Sequence, residues 1–241
     1  MSEKPNITQT RTDLAIAVGK GALSQLPYVG PVLAEIVASI IPNQRVDRLA
    51  RFTEILDEKL RELDKEFLNS KMRTDEFVDL FEDGAFQAAR ALTDERKEHI
   101  ASLLKNSLSS DELNHAQEKK LLSILGDLND AELVILKHYG LDLDPQETQQ
   151  FFDRHEEIIR GPQVFVGSPQ EDMDRSAVHE TYRNHLRRLG LIRATYKKPK
   201  KGELPDWDLK TGMIKAQSNR ITSLGRLLLR YIDAEVAPSS E

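Results

Sequence analysis

Along most of the chain apolar residues recur every three or four positions, the period of a helix that buries one face, and only two short stretches near the C-terminus read as strand. The first apolar block, residues 14–41, has a different texture. Lys20 and Glu35 are its only charges, and Gly and Ala are frequent. As one helix it would be long enough to span a bilayer, but Pro27, Gly30 and Pro31 interrupt it, each proline removing a donor and fixing φ. The pattern predicts two short helices and a tight turn, with Tyr28 and Val29 at the tip. Leu23, Leu26, Tyr28, Val29, Val32, Leu33 and Ile36 are its candidate contact residues, for a membrane or a partner. The plainer reading is an apolar hairpin at the centre of a helical bundle.

A long amphipathic helix is expected over 44–69, with Val46, Leu49, Leu56, Leu60, Leu63 and Phe67 on one stripe and Thr53 in its weak position. Thr74-Asp75 opens another helix to about Ala91, Thr93 with Asp94-Glu95 opens the next, and Ser109-Ser110-Asp111-Glu112 a third. Residues 1–128 are thus expected to form an acidic helical bundle that includes the hairpin.

At Asn129 the texture changes. Asn129-Asp130-Ala131-Glu132 predicts a capped helix start, and Gly140 a left-handed C-cap. Asp144-Pro145 opens a helix to about Arg160, and 161–172 is a loop holding Val164-Phe165-Val166. Residues 174–189 are helical, with Val178, Tyr182, Leu186 and Leu189 on one stripe. A strand over 190–196, an irregular stretch to Asn219, a second strand from Arg220 and a helix over 223–230 follow. Residues 235–241 read as a disordered tail.

Three helices, a hairpin and a helix is the order of a winged helix. The phrases at 185–192 and 221–226 resemble the strand-flanking phrases of bacterial regulators of the MarR type. The expected fold is therefore mainly α: an N-terminal acidic helical bundle with an apolar helical hairpin, then a winged-helix-like α+β module over 129–234.

Charge sharpens this division. Residues 175–230 hold 14 Lys and Arg against 4 Asp and Glu, whereas residues 1–174 hold 20 against 33. A basic segment of this kind attracts polyanions. The helix 174–189 is expected to expose Arg175, His179, Arg183, Asn184, Arg187 and Arg188, and the hairpin to carry Arg193, Lys197, Lys198, Lys200 and Lys201. Guanidinium groups contact phosphates or guanine edges, and Asn pairs with adenine. Duplex nucleic acid and an acidic protein surface, including this chain's own bundle, are the partners that fit 175–230. A membrane contact through 14–41 and self-association into a homo-oligomer stay open.

The chemistry that is missing points the same way. There is no cysteine, P-loop, dinucleotide fingerprint, nucleophile elbow or HExxH, and the histidines at 99, 115, 138, 155, 179 and 185 are scattered. No cofactor, metal or catalytic residue is expected. The N-terminus lacks the order of a secretory leader, so the expected location is cytoplasmic, peripheral to the inner membrane if the hairpin acts there.

Three phrases, at 29–42, 128–139 and 221–232, resemble the Abi-alpha group of bacterial abortive-infection proteins. The resemblance implies a non-enzymatic phage-defence protein that halts or kills the infected cell, and it brings no catalytic motif. A DNA-binding regulator with a helical dimerisation or partner domain, and a protein–protein scaffold, are the other readings.

Overall fold

A computed structural model of the chain describes residues 45–61, 63–110, 113–141, 145–202, 204–207, 212 and 214–234. The hairpin expected at 14–41, with Leu23, Leu26, Tyr28, Val29, Val32, Leu33 and Ile36, lies outside the described residues, as does the tail at 235–241. Ten helices and one two-stranded antiparallel sheet are present among the described residues. No helix among them is long and apolar enough to cross a membrane. They divide into two compact units: the residues up to Gly126 with Tyr231–Asp233, and Asp127–Arg230 with Ala234.

The first unit contains α1 (Val46–Leu60), α2 (Lys65–Lys71), α3 (Asp75–Arg90), α4 (Asp94–Ser109) and α5 (His115–Asp127). Helices α1, α3 and α4 pack on one another. Their shared core is Leu49, Phe52, Leu56 and Leu60 of α1, Leu80, Phe81 and Ala88 of α3, and Ile100, Leu103 and Leu104 of α4, all buried. Each large side chain here contributes about 1.5–3 kcal/mol by leaving water. Small residues on α3 let α4 come close: a Cβ at Gly84 would sit 3.1 Å from Cδ1 of Leu104.

The expected helix over 44–69 is two helices. Helix α1 ends at Leu60, and the Asp64 carboxylate accepts the amides of Glu66 and Phe67, which starts α2. An apolar period can run through such a break because a cap is a local event. Thr53 and Asp57 are fully buried on the inner side of α1. Thr53 Oγ1 donates to the Ala50 carbonyl at 2.7 Å, and Asp57 pairs with Arg61 at 3.2 Å. Thr74 and Thr93 cap α3 and α4 through their hydroxyls. Ser109, however, ends α4 rather than opening a helix. Helix α5 starts only at His115, where Asn114 Oδ1 accepts the Gln117 amide at 3.1 Å.

The second unit runs α6 (Asp130–Gly140), α7 (Pro145–Arg154), α8 (Glu156–Arg160), α9 (Gln170–Arg188), β1 (Ile192–Tyr196), β2 (Ala216–Ile221) and α10 (Ser223–Tyr231). Asn129 and Glu132 form a reciprocal capping box, with bonds of 2.8 and 2.9 Å. Gly140 is the last helical residue, not a left-handed cap; Leu141 follows in extended conformation. The single helix expected over 145–160 breaks at His155, and Gly161, at φ 71°, ends the second piece. Strand β2 begins at Ala216, earlier than expected, and pairs antiparallel with β1: Ile192 opposes Ile221, Arg193 opposes Arg220 and Ala194 opposes Asn219.

The turn from β2 into α10 is held tightly. Thr222 donates its amide to the Leu191 carbonyl at 2.9 Å, and its Oγ1 donates to Gly190 O at 2.7 Å. Only glycine fits at 225, because a Cβ there would lie 2.4 Å from the Leu191 carbonyl oxygen.

Candidate nucleic-acid interface

Helix α9 has an inner and an outer side, and they are not the sides its charge pattern suggested. His179 Nε2 donates to the Ile158 carbonyl at 2.7 Å, and Arg183 Nη2 donates to the Ile159 carbonyl. Those carbonyls belong to the last turn of α8, where no intrahelical donor reaches them. Two side chains from one helix thus cap the end of another. His179 and Arg183, expected on the exposed face, are turned inward, while Val178, expected on the buried stripe, is exposed. Leu186 is fully buried, and Tyr182 and Leu189 are half-buried. Gly161 makes the capping geometry attainable, since a Cβ there would lie 2.4 Å from the His179 ring.

The outer side at the end of α9 holds Asn184, Arg187 and Arg188, all exposed. Arg187 Nε donates to Asn219 Oδ1 at 3.0 Å, and its Nη1 donates to Asn184 Oδ1 at 2.8 Å. Asn219 Nδ2 donates in turn to the Tyr139 hydroxyl at 3.3 Å, which also accepts from Arg183 Nε at 3.2 Å. A chain of hydrogen bonds therefore runs from the inner side of α9 through α6 and β2 to the exposed guanidinium. Arg187 keeps Nη2 free of any partner among the described residues, so the group is oriented but not used up.

The hairpin adds charge in an unusual register. Arg193 on β1 and Arg220 on β2 are directly opposed, both are exposed, and neither meets a carboxylate among the described residues. Opposed residues of an antiparallel pair project from the same face, so two cations are held side by side. The juxtaposition destabilises the ladder by on the order of 0.5 kcal/mol. Arg193 also lines a hollow of about 370 Å³ with Arg226, Thr222 and Ser223. Further along, Lys197, Lys198, Lys200 and Lys201 are exposed; Lys197 lies 3.9 Å from Asp206, and Lys200 has its own interaction.

Arg175 stands apart from this cluster. It lies twelve residues before Arg187 on α9, a rise of about 18 Å. It pairs with Glu171, whose carboxylate raises the guanidinium pKa above its ordinary value. Together they flank an open groove of about 840 Å³ that includes Ile158, Val178 and Tyr182. The structure brings Asn184 and Arg187 together, with Arg188 next in sequence, and sets Arg193 on the opposite face of the hairpin from the Asn219 that holds Arg187; Arg175 and Arg183 are left out. Tyr139 and Asn219, absent from the expected set, complete the Arg187 group, and Arg220, also absent from it, stands beside Arg193. Asn219 was hidden because β2 was expected to start one residue after it, Arg220 lay in the expected strand but its cross-strand partner could not be read, and Tyr139 carried no local signal at all.

His138 packs against the Tyr139 and Phe152 rings, and burial, reinforced by the Arg183 guanidinium, lowers its pKa. Glu132 Oε1 lies 2.8 Å from His185 Nδ1 while its other oxygen completes the capping box. In the first unit Asp79 accepts from Lys119 and His115, which hold its carboxyl below the ordinary range. Among the described residues no group of three ligating side chains could hold a metal ion.

Comparison of the chain with family models, characterised proteins and solved structures finds no significant match.

Proposed function

We propose that the second unit is a winged-helix-like module that binds duplex nucleic acid through the end of α9 and the β1–β2 hairpin. The observation that carries this reading is the opposed couple Arg193–Arg220, which meets no carboxylate among the described residues. A ladder that places two cations face to face is costly for an isolated fold and is relieved by a phosphate between them. Arg187, oriented by Asn184 and Asn219 on the other face of the hairpin, offers a second contact to a phosphate or base edge, and Arg188 adds charge beside it. The order of α6, α7–α8, α9, hairpin and α10 supports the winged-helix description.

The test is fluorescence anisotropy of a labelled duplex with the full chain across a salt series. Affinity is expected to fall linearly with salt on logarithmic axes, and Arg193→Ala or Arg220→Ala to reduce the slope by about one each. Absence of binding at low salt would remove the reading.

The phrases that resemble Abi-alpha proteins favour placing this module in a non-enzymatic phage-defence protein. That assignment predicts protection of an expressing bacterium in a phage plating assay. Protection is expected to be lost with the Arg193→Ala, Arg220→Ala double variant, and plating unaffected by expression of the native chain would count against it.

A further inference from the structure

Beyond the paired strands the arms of the hairpin carry exposed apolar side chains. Leu204 is 85% exposed, Trp207 55% and Ile214 41%. Trp207 and Ile214 are antiparallel bridge partners, so their side chains share one face of the ribbon. The Lys215 amide donates to the Asp206 carbonyl at 2.7 Å, which fixes the two segments together at that point. Trp207 makes no ring or cation contact among the described residues. Two large apolar side chains held side by side in water, with the exposed Leu204 three residues before Trp207, mark a contact surface.

The frame of this surface separates it from the other exposed apolar side chains. Phe165 is also strongly exposed, but the loop 161–169 around it contains no Lys or Arg. Lys197, Lys198, Lys200 and Lys201 precede Trp207 on one arm and Lys215 follows Ile214 on the other, these five cations standing against Glu203, Asp206 and Asp208 in the same segment. A partner for the whole surface must offer negative charge and flat apolar area within a few ångströms of each other. An acidic protein surface satisfies the lysines and leaves Trp207 against charge. A lipid surface has both chemistries, yet three partly exposed side chains bury less apolar area than a single acyl chain, which itself gives only marginal attachment. A base step asks for less, because one or two apolar side chains suffice to wedge it, with phosphates on either side.

We propose that Leu204, Trp207 and Ile214 form a base-contacting wedge, which meets the faces of bases in a duplex while the flanking lysines hold its phosphates. The inference rests on the nucleic-acid reading above and names a second mode of contact within it. It assigns to the hairpin an apolar, salt-independent share of affinity that the arginine cluster cannot supply.

Trp207 is the only tryptophan in the chain, so intrinsic fluorescence reports on this surface alone. The full chain is titrated with a labelled duplex while duplex anisotropy and tryptophan emission are followed together. Quenching in step with the anisotropy rise is expected. Trp207→Ala is expected to weaken binding about tenfold with the salt slope unchanged, since an apolar contact releases no counterions. Leu204→Ser, at a position with almost no packing to lose, is the second variant and is expected to act in the same direction. Lys197→Ala is expected instead to lower the slope. A rise in anisotropy with unaltered emission would overturn the wedge and leave the nucleic-acid reading standing. No anisotropy change at low salt would overturn both. A blue shift with phosphatidylglycerol vesicles and no response to duplex would overturn the wedge in favour of lipid.

Discussion

Arg187 on α9 donates its Nε–H to Oδ1 of Asn219 on β2 at 3.0 Å, so the strand decides where the helix's guanidinium points. Asn219 is itself held by the Tyr139 hydroxyl, which Arg183 also contacts. The direction of one surface cation is thereby set by side chains on three elements.

If that orientation matters, Asn219→Ala lowers duplex affinity although Asn219 carries no charge. A double-mutant cycle with Arg187→Ala is expected to show a coupling of roughly 0.5–1.5 kcal/mol. Additive losses in the anisotropy titration would mean that Arg187 finds its contact without help.

Gly161→Ala tests the cap that α9 places on α8. The residue sits at φ 71°, and its Cβ would collide with the His179 ring. The substitution is expected to destabilise the fold by about 2 kcal/mol or more, from backbone strain and the displaced imidazole together. In a His179→Ala background the cost should shrink to the strain alone. Urea unfolding of the four proteins measures both, and equal costs in the two backgrounds would refute the clash.

Removal of the α6 capping box has a graded outcome. Asn129→Ala is expected to cost about 1 kcal/mol, the usual loss for an N-cap. Glu132→Ala should cost more, because Glu132 is buried and also faces His185 at 2.8 Å. A thermal melt that ranks the two in the opposite order would show that the His185 contact contributes nothing.

His138 makes stability depend on pH in a definite window. Burial and the Arg183 guanidinium lower its pKa, so the unfolded chain takes up the proton first. The stabilisation is complete above about pH 6.5 and declines as pH falls below that value, levelling off beneath the folded pKa. Urea midpoints at about pH 7.5 and about pH 5.5 should therefore differ less in His138→Phe than in the native chain. Asp79 acts lower on the scale. Its depressed pKa gives a contribution that is present above the ordinary carboxylate range and is lost as pH falls through the folded value.

Helix starts were legible where the signal is local. Thr74, Thr93 and Asn129 each bond an amide three residues on, so the few residues around them hold all the information. Breaks inside an apolar period were not legible. Leu60, Leu63 and Phe67 keep their spacing across the Asp64 cap, and nothing in the period announces it. The inner face of α9 was misjudged for a different reason. His179 and Arg183 look like solvent residues until the free carbonyls of Ile158 and Ile159 are placed beside them, and those partners come from another helix. The Arg187–Asn219 contact spans 32 residues of sequence, and no local rule reaches that far.

The first unit is not contiguous in sequence. Asn106 donates to the carbonyl of Tyr231, 125 residues later, and to the carboxylate of Asp233, which also lies 3.7 Å from Lys59. On a ribosome, which delivers the chain from its N-terminus, α4 is made long before the turn that Asn106 binds. The whole of α6 to β2 is synthesised in the interval, while its predecessor still lacks a closing contact. The first unit therefore closes only after nearly all of the second has been made.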